Sequence, residues 1–71
     1  MKTIIVAHDR VQGLTLALRA FDDPSEAAVF VSELEDRFAE HPDVDVEAYL
    51  FDSVDEFLRT FPRYAKGPGV Q

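Results

Sequence analysis

The sequence predicts an α+β fold, a small two-layer sandwich in which a three-stranded antiparallel sheet carries two helices on one face. Three observations lead to this prediction. Two segments place apolar residues at every second position, one segment is apolar at successive positions, and two segments repeat apolar residues at helical spacing. The elements follow the order β-β-α-β-α, and 71 residues are enough for one domain.

The first two strands are predicted to form a hairpin. Residues 3–8 are apolar at both parities, which is typical of a strand covered on both faces. Residues 9–13 form a short loop, in which Gly13 is available for a left-handed backbone. Residues 14–21 alternate with a period of two and favour a second strand. A helix over 14–20 is the alternative, because Leu14, Ala17, Leu18 and Phe21 also fit one helical face.

The first helix is predicted from about residue 24 to residue 40. Asp23 is a good N-cap, Pro24 fits the first helical position, and Glu26 is placed to reach back to the cap. Pro42 ends the helix, because the residue before a proline avoids helical backbone angles.

The third strand and the second helix follow. Apolar residues alternate over 44–51, which predicts a strand. Ser53 and Glu56 then form a second capping pair, so a short helix is predicted over 53–61.

The connections predict the sheet order. A helix that joins the second and third strands makes them parallel by a right-handed crossover, and the first strand fits between them. The predicted order is therefore 2-1-3, with every neighbour antiparallel. The single domain is expected to cover residues 1–65, with 66–71 as a flexible C-terminal tail.

A sheet with both helices on one face leaves apolar side chains on the other face uncovered. Exposed apolar patches mark sites of protein contact. The leading hypothesis is therefore a non-enzymatic protein-interaction module, which acts as a homodimer or docks on a partner protein. The residues predicted to form this interface are Ile5, Ala17, Phe21, Tyr49 and Phe51.

The acidic composition excludes one class of partner and suggests another. Fourteen Asp and Glu residues against seven Lys and Arg residues give a net charge of −7. Direct nucleic-acid binding is not expected, because it needs clustered cations. The alternative hypothesis is an inhibitor that imitates nucleic acid and occupies the cleft of a basic protein.

A metal or ligand site at a dimer interface is a further alternative. The predicted topology gathers His8, Asp9, His41 and Asp43 at one end of the sheet, and imidazole and carboxylate groups are suitable ligands for Zn²⁺. The spacing matches no metal-binding motif, and Asp residues in turns commonly bind nearby backbone N–H groups. No cofactor is predicted.

The sequence also argues against several other functions. The chain has no Cys, so it contains no disulfide and no thiolate ligand. It lacks a G-x-S-x-G motif and a phosphate-binding loop, and a domain of this size has little room for a catalytic pocket. The longest apolar run, residues 4–7, is far shorter than the ~20 residues that span a bilayer. We therefore expect a soluble cytoplasmic protein that is not an enzyme.

Overall fold

The computed structural model describes residues 1–70. Its regular elements are β1 (Lys2–Asp9), β2 (Leu14–Phe21), α1 (Pro24–Arg37), β3 (Val44–Phe51) and α2 (Val54–Thr60), followed by short 3₁₀ turns at Pro62–Ala65 and Pro68–Val70. The β-β-α-β-α order is confirmed. Residues 14–21 form a strand, so the helical alternative for this segment is wrong.

The three strands form one antiparallel sheet in the order β2-β1-β3. The central strand pairs along its full length with β3, where Ile4 lies opposite Tyr49 and Ala7 opposite Val46. The pairing with β2 shifts by one residue between Ala7 and His8, which is a β-bulge. The predicted α+β class, strand order and antiparallel pairing are therefore confirmed.

Local side-chain hydrogen bonds fix the chain between the elements. Asp9 closes the hairpin turn, where its Oδ1 accepts from the backbone nitrogens of Val11 and Gln12 at 2.9 and 3.0 Å. Asp23 caps α1 by accepting from the Ser25 nitrogen at 2.9 Å. The helix ends at Arg37, three residues earlier than the predicted residue 40, and the following residues form a turn.

The positions of the helices differ from the prediction. On one face of the sheet, Ile4 and Val6 of β1 pack with Phe57 of α2. On the other face, Ile5 and Ala7 pack with Leu34 of α1. The two helices therefore lie on opposite faces, and the sheet is the middle of three layers. We call these faces the α2 side and the α1 side of the sheet.

Two sequence features explain this arrangement. Because β1 is apolar at both parities, apolar side chains project from both of its faces, and each face must pack against another element to exclude water. The register with β3 then places Tyr49 beside Ile4 on the α2 side and Val46 beside Ala7 on the α1 side. The odd-numbered residues of β3 therefore add apolar side chains to the core on the α2 side, and the even-numbered residues add apolar side chains to the core on the α1 side.

Residues 66–70, which we call the C-terminal segment, lie along the outer edge of β2. The Lys66 carbonyl accepts from the Thr15 nitrogen at 2.8 Å. Gly69 lies so close to β2 that a Cβ there would be 2.5 Å from the Ala17 nitrogen. The flexibility expected for residues 66–71 stays a prediction, and Gln71 lies outside the described residues; residues 66–70 lie against the sheet.

Candidate functional site

The five residues predicted to form an interface do not share a surface. Ile5, Ala17 and Phe21 lie on the α1 side of the sheet, whereas Tyr49 and Phe51 lie on the α2 side. Each of them packs into one of the two cores, and Ile5 is only 1% exposed. The uncovered sheet face expected from the sequence is absent among residues 1–70, because a helix covers each side.

The loops that were expected to meet at one end of the sheet do meet there. The Arg10 nitrogen donates to the Asp43 carbonyl at 2.9 Å. The Arg10 guanidinium lies 2.7 Å from the Asp45 carboxylate and 3.8 Å from the Asp43 carboxylate. The carboxylates of Asp43 and Asp45 are thus paired with a cation of the chain itself.

The predicted metal ligands are not brought together. Asp9 holds the hairpin turn, and His8 Nδ1 lies 3.2 Å from the Thr15 hydroxyl oxygen. The His41 ring instead packs edge-on against Phe38 at 6.2 Å between centroids. Within the described residues, no three His, Cys, Asp or Glu side chains are grouped in a way that could hold a metal ion.

A polar network on the α2 side was missed by the sequence analysis. The Glu47 carboxylate accepts from the hydroxyls of Tyr49 and Tyr64, whose oxygens lie 3.1 Å apart. Arg63 donates to the Tyr64 hydroxyl at 3.2 Å, and its guanidinium lies 4.6 Å from the centre of that ring. The Thr15 hydroxyl donates to the Tyr64 carbonyl at 2.8 Å. The network therefore fastens residues 62–65 to the sheet.

The electrostatic effect of this network is clearest at Tyr49. Burial raises the pKa of the Tyr49 hydroxyl above its ordinary value, and the hydrogen bond to Glu47 raises it further. The neutral hydroxyl is the donor that this arrangement requires. We assign the network a structural role, because its polar groups are engaged with one another.

A groove of about 240 Å³ opens on the α1 side, between α1 and β2. We call it the α1–β2 groove. Its lining residues are Arg19, Phe21, Glu26, Val29, Phe30 and Glu33. The Phe21 and Phe30 rings lie 5.4 Å apart, and the Arg19 guanidinium lies 5.0 and 5.7 Å from their centres. The groove therefore combines an apolar floor with charged groups.

The outer edge of β3, which we call the β3 edge, presents unpaired backbone groups. The bond from the Arg10 nitrogen to the Asp43 carbonyl continues the β1–β3 ladder. Hydrogen-bonded and non-hydrogen-bonded pairs alternate in an antiparallel sheet, so odd-numbered β3 residues bond to β1. Val46, Ala48 and Leu50 therefore direct their N–H and C=O groups outward, and no strand among residues 1–70 pairs with them.

No protein-family model, no curated protein and no solved structure matches the chain. Among residues 1–70, no helix is both long enough and apolar enough to cross a membrane. Within residues 1–70, the β3 edge and the α1–β2 groove are surfaces that could contact another molecule.

Proposed function

We propose that this protein is a non-enzymatic interaction module that forms a homodimer by pairing the β3 edges of two copies. One observation carries the proposal: β3 is eight residues long, and its outer donors and acceptors have no partner within residues 1–70. An open strand edge is a template for pairing with another strand. The proposal keeps the expected homodimer but moves its interface from a sheet face to a sheet edge.

The side chains along β3 suit a two-fold axis at Ala48. In this register Ala48 faces its own copy, and Val46 faces Leu50 of the second copy. These even-numbered residues are the ones whose backbone groups point outward, so both pairs are hydrogen-bonded. Leu50, which is 64% exposed in the single chain, gains an apolar neighbour. The contact is isologous, as in most dimers.

The charges on β3 favour the same register. With the axis at Ala48, Glu47 lies opposite Tyr49 of the second copy, so no two carboxylates face each other directly. An axis at Glu47 would place two Glu47 side chains opposite each other, which is destabilising. Each copy carries a net charge of −7, so we expect dimerisation to strengthen as salt screens the repulsion.

The experiment uses Ala48→Pro, which removes the outward N–H of residue 48 and leaves the ladder with β1 intact. Proline is tolerated at the solvent-facing positions of edge strands, so the fold should persist. Sedimentation equilibrium should show a dimer for the wild type and a monomer for Ala48→Pro, and circular dichroism checks that the variant is folded.

A second pair of variants tests the side chains. Leu50→Lys places a charge on the β3 edge and should also give a monomer. Val11→Lys is the matched control, since Val11 is 73% exposed in the hairpin turn and should leave the dimer unchanged. A wild type that stays monomeric near millimolar concentration would overturn the proposal. A dimer that persists in Ala48→Pro and Leu50→Lys would overturn it as well.

A further inference from the structure

We propose that the α1–β2 groove binds a basic amphipathic helix of a second protein, with an apolar side chain on its floor and one cation at each end. This inference goes beyond the proposed homodimer and uses a separate surface. Because β2 and β3 are the two outer strands, a dimer formed through β3 leaves the groove accessible.

The floor of the groove is apolar and partly open to solvent. Val29 is 59% exposed, and the half-buried rings of Phe21 and Phe30 lie beside it. The flat guanidinium of Arg19 covers both rings from the β2 side. A leucine-sized side chain placed here would contact Val29 and Phe30 and remove apolar surface from water.

The carboxylates of Glu26 and Glu33 stand at the two ends of this floor. They are seven residues apart on α1, which corresponds to two helical turns and about 10 Å. Among residues 1–70, neither carboxylate forms an ion pair, and Arg19 contacts the aromatic rings instead. Two unpaired negative charges at this spacing fit two positive charges at the same spacing.

A helical partner satisfies this spacing and a strand does not. Two lysines seven positions apart on a helix lie on one face, about 10 Å from each other. The residues three and four positions after the first lysine lie between them on that face, and they can be apolar. In a strand, residues two apart are separated by ~7 Å and residues four apart by ~13 Å, while residues three apart point to opposite faces. The groove, at about 240 Å³, is also smaller than typical small-molecule sites, which start near ~300 Å³.

The test is an amide NMR titration with a synthetic alanine-rich helical peptide that carries two lysines seven positions apart and two leucines between them. We expect shifts confined to the groove and a dissociation constant that is about tenfold weaker for Glu26→Gln/Glu33→Gln. Val29→Lys should abolish binding, because it fills the floor and adds a like charge to that of the peptide. A peptide with glutamate in place of lysine should not bind.

The matched control is Glu35→Gln/Asp36→Asn, which removes the same charge from the same helix outside the groove. Binding to this variant should change by less than about twofold. An equal loss in both double variants, shifts spread over every acidic surface, or no binding of the lysine peptide would overturn the inference. The monomeric Ala48→Pro variant should still bind the peptide, so failure of the homodimer and failure of the groove are distinguishable.

Discussion

Replacing Thr15 by valine tests how much stability depends on one buried hydroxyl. Thr15 is 0% exposed, and its hydroxyl donates to the Tyr64 carbonyl at 2.8 Å. The same oxygen lies 3.2 Å from His8 Nδ1. Valine has nearly the same shape, so Thr15→Val removes the hydrogen bond without opening a cavity. The Tyr64 carbonyl then lacks this donor in a largely buried position.

The expected loss follows from the cost of an unsatisfied buried acceptor, about 1–3 kcal/mol. A chain of 71 residues has a free energy of unfolding of roughly 4–10 kcal/mol, at ~0.05–0.15 kcal/mol per residue. Thr15→Val is therefore expected to remove a substantial part of the free energy of unfolding. The midpoint of thermal unfolding should fall by roughly 4–24 °C, at about 4–8 °C per kcal/mol for a domain of this size.

Urea denaturation followed by circular dichroism measures this loss, and Thr60→Val is the matched control. The Thr60 hydroxyl donates to the Glu56 carbonyl at 2.9 Å on the exposed surface of α2. Water replaces that donor when the hydroxyl is removed, so the change should stay within about 0.5 kcal/mol. If Thr15→Val were no more destabilising than Thr60→Val, the structural role assigned to the Thr15–Tyr64 bond would be refuted.

Gly67→Ala is expected to release the C-terminal segment from β2, because Gly67 has φ +133° and an added Cβ would lie 2.5 Å from the Thr15 nitrogen. Faster amide exchange at Thr15 measures this release. Gly13→Ala is the control for backbone strain, because Gly13 also has a positive φ (+69°) but its added Cβ meets no atom within 4 Å, so exchange at Thr15 should rise less than in Gly67→Ala. Tyr49 is expected to stay protonated above pH ~10, where a free tyrosine ionises, since burial and Glu47 raise its pKa. This raised pKa contributes stability that is present below pH ~10 and is lost as the pH rises through the folded-state pKa. The alkaline absorbance titration of the wild type minus that of Tyr49→Phe isolates this group, and ionisation of Tyr49 near pH 10 would contradict the prediction.

The elements and their order were accessible to sequence reasoning because each has a local physical cause. Asp23 and Ser53 are side-chain caps that act on neighbouring backbone groups, and both helices begin immediately after them. The period-two pattern over 14–21 and 44–51 follows from the alternation of side chains along a strand. The strand order then follows because a helical connection makes β2 and β3 parallel, and β1, which is antiparallel to β2 through the hairpin, fits between them.

Sequence reasoning could not decide in the same way on which face of the sheet each helix lies. Both parities of 44–51 carry apolar residues, so only the β1–β3 register decides that Tyr49 joins the α2 side and Val46 joins the α1 side. One signal did point to the observed layers: residues 3–8, apolar at successive positions, indicate a strand covered on both faces. A strand covered on both faces is incompatible with two helices on the same face of the sheet, and the helices lie on opposite faces.

The candidate surfaces depend on geometry that no local pattern encodes. The backbone N–H and C=O groups of Ala48 point outward because of the hydrogen-bond register between β3 and β1. The residue type at position 48 does not indicate this direction. The α1–β2 groove joins side chains from two elements whose relative position the prediction had wrong. The C-terminal segment attaches to β2 through its backbone, so its side chains show no periodicity that could have revealed the contact.

The position of the two tyrosines allows the two sides of the sheet to be followed by different spectroscopic signals. The chain has no tryptophan, and its two tyrosines, Tyr49 and Tyr64, have ring centroids 6.1 Å apart on the α2 side. Tyrosine fluorescence therefore reports on the layer formed by α2, whereas α1, with 14 of the helical residues, dominates the helical ellipticity. The two signals observe opposite sides of the same sheet. Coincident unfolding curves would show that β1 couples both cores into one cooperative unit, and separated curves would show which layer melts first.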